Sequence, residues 1–519
     1  MTKLSFRKVI ECPVFTTNKT LQEWRNNEES KICFVPTMGA LHHGHGELIR
    51  EATKFAERVL VSMYVNPLQF AADEDFKEYP RDVKRDSELA FQYGAHAIWR
   101  PSINEIFPNG IEKSFKITVP EFLKSNLCGS RRPGHFDGVA MILTHLLRIL
   151  KPNILMLGEK DWQQFIIIKH LINDLGLPVE LKGMATVREA NGLALSSRNS
   201  YLNGLEREIA TVLPKTLKKA AQDHSEGRLI NLTKLQSTIS ASGLQLEYLE
   251  VVNPYTIQKV GIGKNLCLLA AAVRCGKTRL IDHTFLMQRK PIVAIDGPAG
   301  AGKSTVTKGF AKQLGLTYLD TGAMYRAVTW LIQKENIDPK NHLAIQKVLN
   351  HLELNLKNTN NGTQQVLVNN SDVTEAIRSP EVTALVSVVA SEKPIREFLT
   401  SQQKKMGELG GLVAEGRDIG TTVFPNAELK VFLTASANER AKRRLNDLTT
   451  QGFPNPGLKK LEEEITARDK MDSTRKISPL LKADDAIEVI TDGMNIDEVI
   501  KTLVELFRLK IPNEAWPTP

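Results

Sequence analysis

The sequence predicts an α/β protein of two units in series, each a parallel sheet with helices on its faces. Three observations predict it. An apolar run at 31–35 leads through a Gly/His loop into a helical pattern and on to a second apolar run at 59–65; strand–helix–strand in that order requires a parallel pair. A second strand-to-helix junction, 291–296 into 297–304, repeats the frame later in the chain. The length, 519 residues, is too great for one core.

Taken in order, 31–35 (Lys-Ile-Cys-Phe-Val) is a short buried strand. Leu48, Ala52, Phe55 and Val59, at steps of four, three and four, predict a helix over 45–58. Residues 59–65 form the next strand, and 154–157 another that runs straight into Gly158. From about 190 to 285 the texture changes to charged helical segments and then three strand-like runs, 246–252, 266–273 and 279–286, which predict a smaller α+β subdomain. Residues 287–290 are the seam, short and polar without a Gly/Ser spacer. Residues 291–296 begin the second parallel sheet. Runs at 352–356 and 365–368, with Asn/Gly-rich turns, predict a small strand insert at about 345–378. Later strands fall at 431–433 and 487–490, and an amphipathic helix closes the pattern at 495–509. The expected division is 1–286, with a core of about 1–188 and a subdomain of about 189–286, then 287–519, with an Arg-rich segment at about 440–475.

Composition excludes several classes. At 42% hydrophobic and 24% charged, the chain is ordinary for a soluble globular protein. The net charge of +9 comes from 68 basic against 59 acidic residues. That modest excess suits anionic small substrates, so neither nucleic acid nor a membrane is expected as partner. Five cysteines (Cys12, Cys33, Cys128, Cys267, Cys275) form no paired framework, so a reduced, cytoplasmic protein is expected. The first eight residues carry no signal-peptide stretch, and the longest apolar run, 266–273, is far shorter than the roughly 18 residues a membrane span needs.

The first loop, Met38-Gly39-Ala40-Leu41-His42-His43-Gly44-His45, ends where a helix begins. Helix N-termini present free N–H groups and attract phosphate. Histidines at 42 and 45 add donors beside that anion, as adenylation requires where charge builds on the α-phosphate and departing pyrophosphate. Histidines that merely cap the helix are the plainer reading.

These residues, with 65–70 (VNPLQF), 79–81 (YPR), 132–136 (RPGHF), 158–164 (GEKDWQQ) and 195–199 (LSSRN), resemble the pantothenate synthetase (pantoate–β-alanine ligase) family in order over 1–286. The resemblance implies a Rossmann-like nucleotidyltransferase fold of the HxGH type. It also implies a two-step ligation: pantoate attacks ATP to give pantoyl adenylate and pyrophosphate, then β-alanine displaces AMP. Carried over, Met38, Gly39, Ala40, Leu41, His42, His43, Gly44 and His45 would line the ATP site, with His45 as proton donor and His42 on the phosphates. His43 stands at a variable position and reads as surface. Gly158, Glu159, Lys160, Asp161 and Val187 would contact nucleotide, with Lys160 neutralising phosphate. Leu195, Ser196, Ser197 and Arg198 would close over the triphosphate. Gln69 and Gln164 would hold pantoate, Gln69 also lying near β-alanine. Asn191 stands where the family carries Asp. Asp86 reads as a solvated helical acid, with Mg²⁺ binding as the alternative. A homodimer through the first unit is expected by the same analogy.

The second loop is Gly297-Pro298-Ala299-Gly300-Ala301-Gly302-Lys303-Ser304-Thr305, a P-loop in the strand-to-helix context that motif needs. Its backbone curls around phosphates, Lys303 reaches the β- and γ-phosphates of ATP, and Ser304 ligates Mg²⁺. With 319–326 (LDTGAMYR), 415–421 (EGRDIGT) and the Arg-rich stretch, residues 290–512 resemble bacterial cytidylate kinases, nucleoside monophosphate kinases with a P-loop core. The resemblance implies transfer of the γ-phosphoryl of ATP to CMP or dCMP. Thr321, Arg396, Arg417 and Asp418 fall at monophosphate-binding positions, and Arg468 and Arg475 on a closing lid. Met471 replaces an arginine of some relatives. Arg440, Arg443 and Arg444 read equally as a solvated face or as lid residues. Two alternatives stay open: a first unit akin to HxGH aminoacyl-tRNA synthetases, and a second unit that senses nucleotide without catalysis.

Overall fold

The computed structural model describes residues 13–71, 74–263, 266–358, 364–450, 456–474 and 477–517. The chain divides into two compact units, Met1–Gln288 with Asn513–Ala515, and Arg289–Pro512 with Trp516–Pro519.

The first unit is built on six strands: β1 (Val14–Phe15), β2 (Ile32–Thr37), β3 (Arg58–Met63), β4 (Ala97–Trp99), β5 (Ile154–Gly158) and β6 (Glu180–Met184). Their order is β1-β4-β3-β2-β5-β6, and every neighbouring pair is parallel. Helices cover both faces, so the central strands β2, β3 and β5 are largely buried. Alternate residues feed two cores. Ile32, Phe34, Leu60 and Leu155 point to one; Cys33, Val35, Val59, Val61 and Met156 point to the other. Strand order reverses at the β2–β5 junction, since β2 is followed by β3 on one side and β5 by β6 on the other. The loops leaving β2 and β5 therefore part, and their ends frame a crevice.

The helix after β2 is His43–Ala52, six residues shorter at its end than the spacing predicts. Beyond Ala52 the N–H groups of Lys54 and Phe55 bond only three residues back, to Glu51 and Ala52. Phe55 is exposed, and Val59 belongs to β3, so two members of the apparent stripe lie on no helix face.

The smaller lobe carries an antiparallel sheet of β7 (Gln245–Val252), β8 (Cys267–Cys275) and β9 (Thr278–Leu286), with helices Val212–Ser225 and Leu232–Ala241 beside it. The three strand-like runs are thus realised within two residues of their expected ends.

The second unit opens with β10 (Ile292–Asp296) and β11 (Thr317–Asp320). A three-stranded antiparallel insert follows, β12 (Leu354–Asn358), β13 (Gln364–Val368) and β14 (Ser371–Asp372), preceded by a helix His342–Asn350 that occupies the start of the predicted strand segment. With β15 (Leu412–Gly416), β16 (Leu429–Thr434) and β17 (Ile487–Ile490), the main sheet has the order β11-β15-β10-β16-β17, parallel throughout. β10 lies at its centre, so the 297–304 loop leaves the middle of the sheet beside the loop after β15. Helices Ala437–Thr450 and Leu458–Thr474 carry the Arg-rich segment.

The described cysteines, Cys33, Cys128, Cys267 and Cys275, are free and buried, and Cys12 lies outside the described residues. Among the described residues no helix is long and apolar enough to cross a membrane.

Candidate active sites

At the end of β2 the chain turns through Gly39 and Ala40, both at positive φ (80° and 50°). One carboxylate fixes that turn. Asp86 accepts the N–H of Ala40 at 2.7 Å and of Leu41 at 2.8 Å and is 2% exposed. It is not the solvated acid its helix suggested, and burial raises its pKa. Its bonds consume two loop N–H groups and so close them to any ligand.

His42 is the N-cap of the helix His43–Ala52. Gly44 N–H donates to its Nδ1 at 3.1 Å, while His42 N–H donates to Nδ1 of His45 at 3.3 Å. This reciprocal capping box satisfies two helix-end donors. It also fixes the tautomer: with Nδ1 accepting, each neutral ring carries its proton on Nε2. The rings lie 4.1 Å apart. Capping therefore does not exclude a ligand here, since it leaves the Nε2–H of each ring outside the capping box. Burial, then His45 and Lys160, hold His42 down to about 2. Burial, then Lys160, holds His45 down to about 4. Both rings are thus neutral donors at neutral pH in the free protein. Their Cε1–H resonances should titrate below the ordinary histidine value of 6.5 and move upward on adding ATP, because a polyanion favours the imidazolium. A ring titrating at 6.5 without nucleotide contradicts this account.

The two rings line a cavity of about 1370 Å³. Met38, Gly44, Gln69, Gly158, Lys160, Asp161, Gln164, Val187, Leu195, Ser196, Ser197 and Arg198 line it as well. The structure thus brings together most of the residues singled out in the first half of the sequence. Lys160 Nζ donates to Leu195 O at 3.1 Å, tying the β5 loop to the Ser-Ser-Arg loop. Gln69 Nε2 lies 2.7 Å from Met38 Sδ. Arg198 is held by Asp75 at 2.6 Å and 3.0 Å. Gly39, Ala40, Leu41 and Glu159 sit behind the wall rather than on it. His43 turns away: it is exposed and meets Tyr93 Oη at 2.7 Å.

The second cavity, about 950 Å³, is lined by Ala299, Gly300, Ala301, Gly302, Lys303, Ser304 and Thr305 of the P-loop. Facing them are Thr321, Arg396, Arg417, Asp418 and Arg468, joined by Arg326 and Glu415. Gly297 (φ 152°) is required at its position, since a Cβ there would lie 2.0 Å from Leu433 O. Gly297 and Pro298 contribute their carbonyls, which accept from Lys303 Nζ at 2.8 Å and 2.7 Å. Burial, then Arg417, draws the Lys303 ammonium down to about 7.

Two buried carboxylates that sequence reasoning did not assign organise this site. Asp296, the last residue of β10, accepts the N–H groups of Ile419 at 2.8 Å and Gly420 at 2.7 Å, shaping the 416–420 turn. Glu415, at the end of β15, accepts from Ser304 Oγ at 2.5 Å and Tyr318 Oη at 2.7 Å, and its Oε2 is buried without a partner. Thr321 Oγ1 donates to the Glu415 carbonyl at 2.7 Å. Arg396 pairs with Asp418, and Arg417 with Asp472 at 2.9 Å. The Nε atoms of Arg326, Arg396 and Arg468 are buried without a hydrogen-bond partner. Arg440 departs from the solvated-face reading: it is 5% exposed, paired with Asp469, and donates to the P-loop carbonyl of Ala299 at 3.1 Å. Arg443 lines the cavity, whereas Arg444 is exposed. Arg475 lies outside the described residues.

Comparison with known proteins accords with this geometry. The family model of pantoate–beta-alanine ligase matches residues 13–285, and that of cytidylate kinase matches residues 293–509. A "Bifunctional pantoate ligase/cytidylate kinase" of Prochlorococcus marinus strain MIT 9313 is 56% identical over 502 residues, 96% of this chain and 99% of that protein. The namesake of Parasynechococcus marenigrum strain WH8102 is 54% identical over 506 residues, 98% of this chain and 100% of its own. Pantothenate synthetase of Thermus thermophilus is 33% identical, covering 53% of this chain and 99% of its own, with a TM-score of 0.49.

Proposed function

The chain belongs to the bifunctional pantoate ligase/cytidylate kinase family, and from that premise we propose how its two cavities divide the work. The first joins pantoate to β-alanine, and the second phosphorylates CMP or dCMP. The observation that carries this reading is that each cavity has its own phosphate cradle at its own helix N-terminus, with its own cation: Lys160 beside the histidine pair, and Lys303 on the P-loop.

In the first site the pantoate carboxylate, oriented by Gln69 and Gln164, attacks the α-phosphorus of ATP, and pyrophosphate leaves. The Nε2–H donors of His42 and His45, with Lys160, Ser196, Ser197 and Arg198, stabilise charge on the departing group. The β-alanine amine then attacks the acyl adenylate, loses a proton, and expels AMP. In the second site an oxygen of the nucleoside monophosphate attacks the γ-phosphorus of ATP, the bond to the β,γ-bridging oxygen breaks, and ADP leaves. Arg396, Arg417 and Arg468 hold the acceptor phosphate, Asp418 faces the sugar or base, and Lys303 steadies the donor.

Mg²⁺ fits the second site. The Ser304 hydroxyl and the unpartnered Glu415 oxygen are hard donors, and phosphate oxygens complete such a shell. Bound there, the ion would neutralise charge between the β- and γ-phosphates. Among the described residues no group of three or more His, Cys, Asp or Glu side chains could hold a metal ion. The reading also includes a cytoplasmic chain and a homodimer through the first unit, which sedimentation of the purified protein tests.

The functional test is a substrate panel. Pantoate should drive ATP–pyrophosphate exchange where amino acids do not, and CMP and dCMP should accept label from γ-labelled ATP ahead of UMP and AMP. Exchange driven by an amino acid alone, or no transfer to any monophosphate, overturns the corresponding half.

A further inference from the structure

The segment Asn513–Ala515 belongs to the first unit although the rest of that unit ends at Gln288. Its contacts are specific and buried. Glu159, between the cavity-lining Gly158 and Lys160, is 2% exposed. Among the described residues, the hydrogen bonds to its carboxylate come from this segment alone. Asn513 N–H donates at 3.2 Å and its Nδ2 at 3.1 Å to Oε1, and Glu514 N–H donates at 2.8 Å to Oε2. The same Nδ2 reaches Gly183 O of β6 at 3.0 Å. Glu514 turns its own carboxylate to the next loop. It accepts the N–H of Thr186 at 3.0 Å and the Thr186 hydroxyl, and pairs with Arg188 at 2.9 Å. Arg188 is held in turn by Asp282 at 2.8 Å and 2.9 Å. Ala515 packs on the apolar cluster that includes Trp162 and Phe285.

We infer that Asn513 and Glu514 are positioning residues for ATP in the ligase cavity, fixing from behind the two loops that receive the nucleotide. Those loops are 158–161, after β5, and 184–187, after β6. Both line the cavity through Gly158, Lys160, Asp161, Met184, Ala185, Thr186 and Val187. Without its side chain, Asn513 leaves Glu159 Oε1 with the Asn513 N–H alone inside a buried wall, and Gly183 O loses the same donor. Without its carboxylate, Glu514 leaves Thr186 N–H without its acceptor and Arg188 with Asp282 as its one remaining carboxylate. Both loops then shift where nucleotide is contacted, while the histidine cradle on the other side of the switch point keeps its own supports, Asp86 and the capping box. Affinity for ATP should fall more than turnover of bound ATP, because Lys160 keeps its bond to Leu195 O.

The inference rests on the ligase reading above, and full-length variants test it. Asn513→Ala and Glu514→Ala should each raise KM for ATP about tenfold in pantoate-dependent pyrophosphate exchange, the effect of losing one such contact, with KM for pantoate within about twofold and a smaller change in kcat than in KM for ATP. Glu514→Gln, which still accepts from Thr186 but cannot ion-pair with Arg188, should recover part of the loss. CMP phosphorylation should keep the parent constants in all three. If KM for ATP stays at the parent value, or if kcat falls with the active fraction while KM is unmoved, the segment is only structural and the inference fails. If the parent chain itself shows no pantoate-dependent exchange, the ligase reading fails instead.

Discussion

Replacing His45 with alanine lowers pantoate-dependent pyrophosphate exchange by about 100- to 1,000-fold, the usual cost of one transition-state donor, and leaves CMP phosphorylation at the parent rate. The effect is large because His45 does two things. Its Nδ1 accepts His42 N–H, so its loss also frees the backbone that holds His42 in register. Its Nε2–H is a neutral donor in a buried setting, where a hydrogen bond to developing charge is worth more than in water. Glutamine should restore part of the rate, since its amide can donate where the ring did. The second activity is spared because the two cavities share no residue. Initial rates of both reactions on one folded preparation decide the matter; loss of both together contradicts separate sites.

Replacing Lys303 with alanine gives the mirror result. Phosphoryl transfer to CMP falls by about 100- to 1,000-fold, and pantothenate formation is unchanged. Lys303 is 8% exposed, and its ammonium bonds the carbonyls of Gly297 and Pro298. Alanine therefore removes the donor to phosphate and also leaves two P-loop carbonyls without that partner. Arginine should not rescue it, because a planar fork cannot occupy the pocket of a compact ammonium. Calorimetry of ATP binding alongside the transfer assay separates lost affinity from lost turnover.

Much of this was legible in the chain because it is local. A strand, a Gly-rich turn and a helix N-terminus are contiguous, so the 38–45 and 297–305 loops declare themselves, as do the apolar runs of two parallel sheets. Apolar spacing overshoots the helix end at Ala52 because it continues through Phe55 and Val59 into the next strand. What stayed hidden is what the fold assembles from a distance. Asp86 reads as one acid on a helix, and only the fold brings it to the N–H groups of Ala40 and Leu41. A signal existed: Asp86 and Ala90 are spaced by four and both face inward, so a carboxylate sat on the buried stripe. Glu415 and Asp296 carried a similar mark, each an acid closing an apolar strand run. Arg440 looked like part of a solvated charge run because nothing in its helix reveals Ala299 above it. Asn513 and Glu514 offered no signal, since no periodicity or motif connects them with Glu159.

The guanidinium groups of the second cavity have one more consequence. Burial, then Arg417, pulls down the pKa of Arg468, so positive charge is crowded against positive charge. Three of these side chains keep an unused N–H edge. Any compact dianion relieves such crowding, sulfate and inorganic phosphate included. Buffer choice will therefore masquerade as selectivity: a nucleotide ranked in phosphate and another ranked in Tris are being weighed against different incumbents, and only matched anion backgrounds give an honest order of preference.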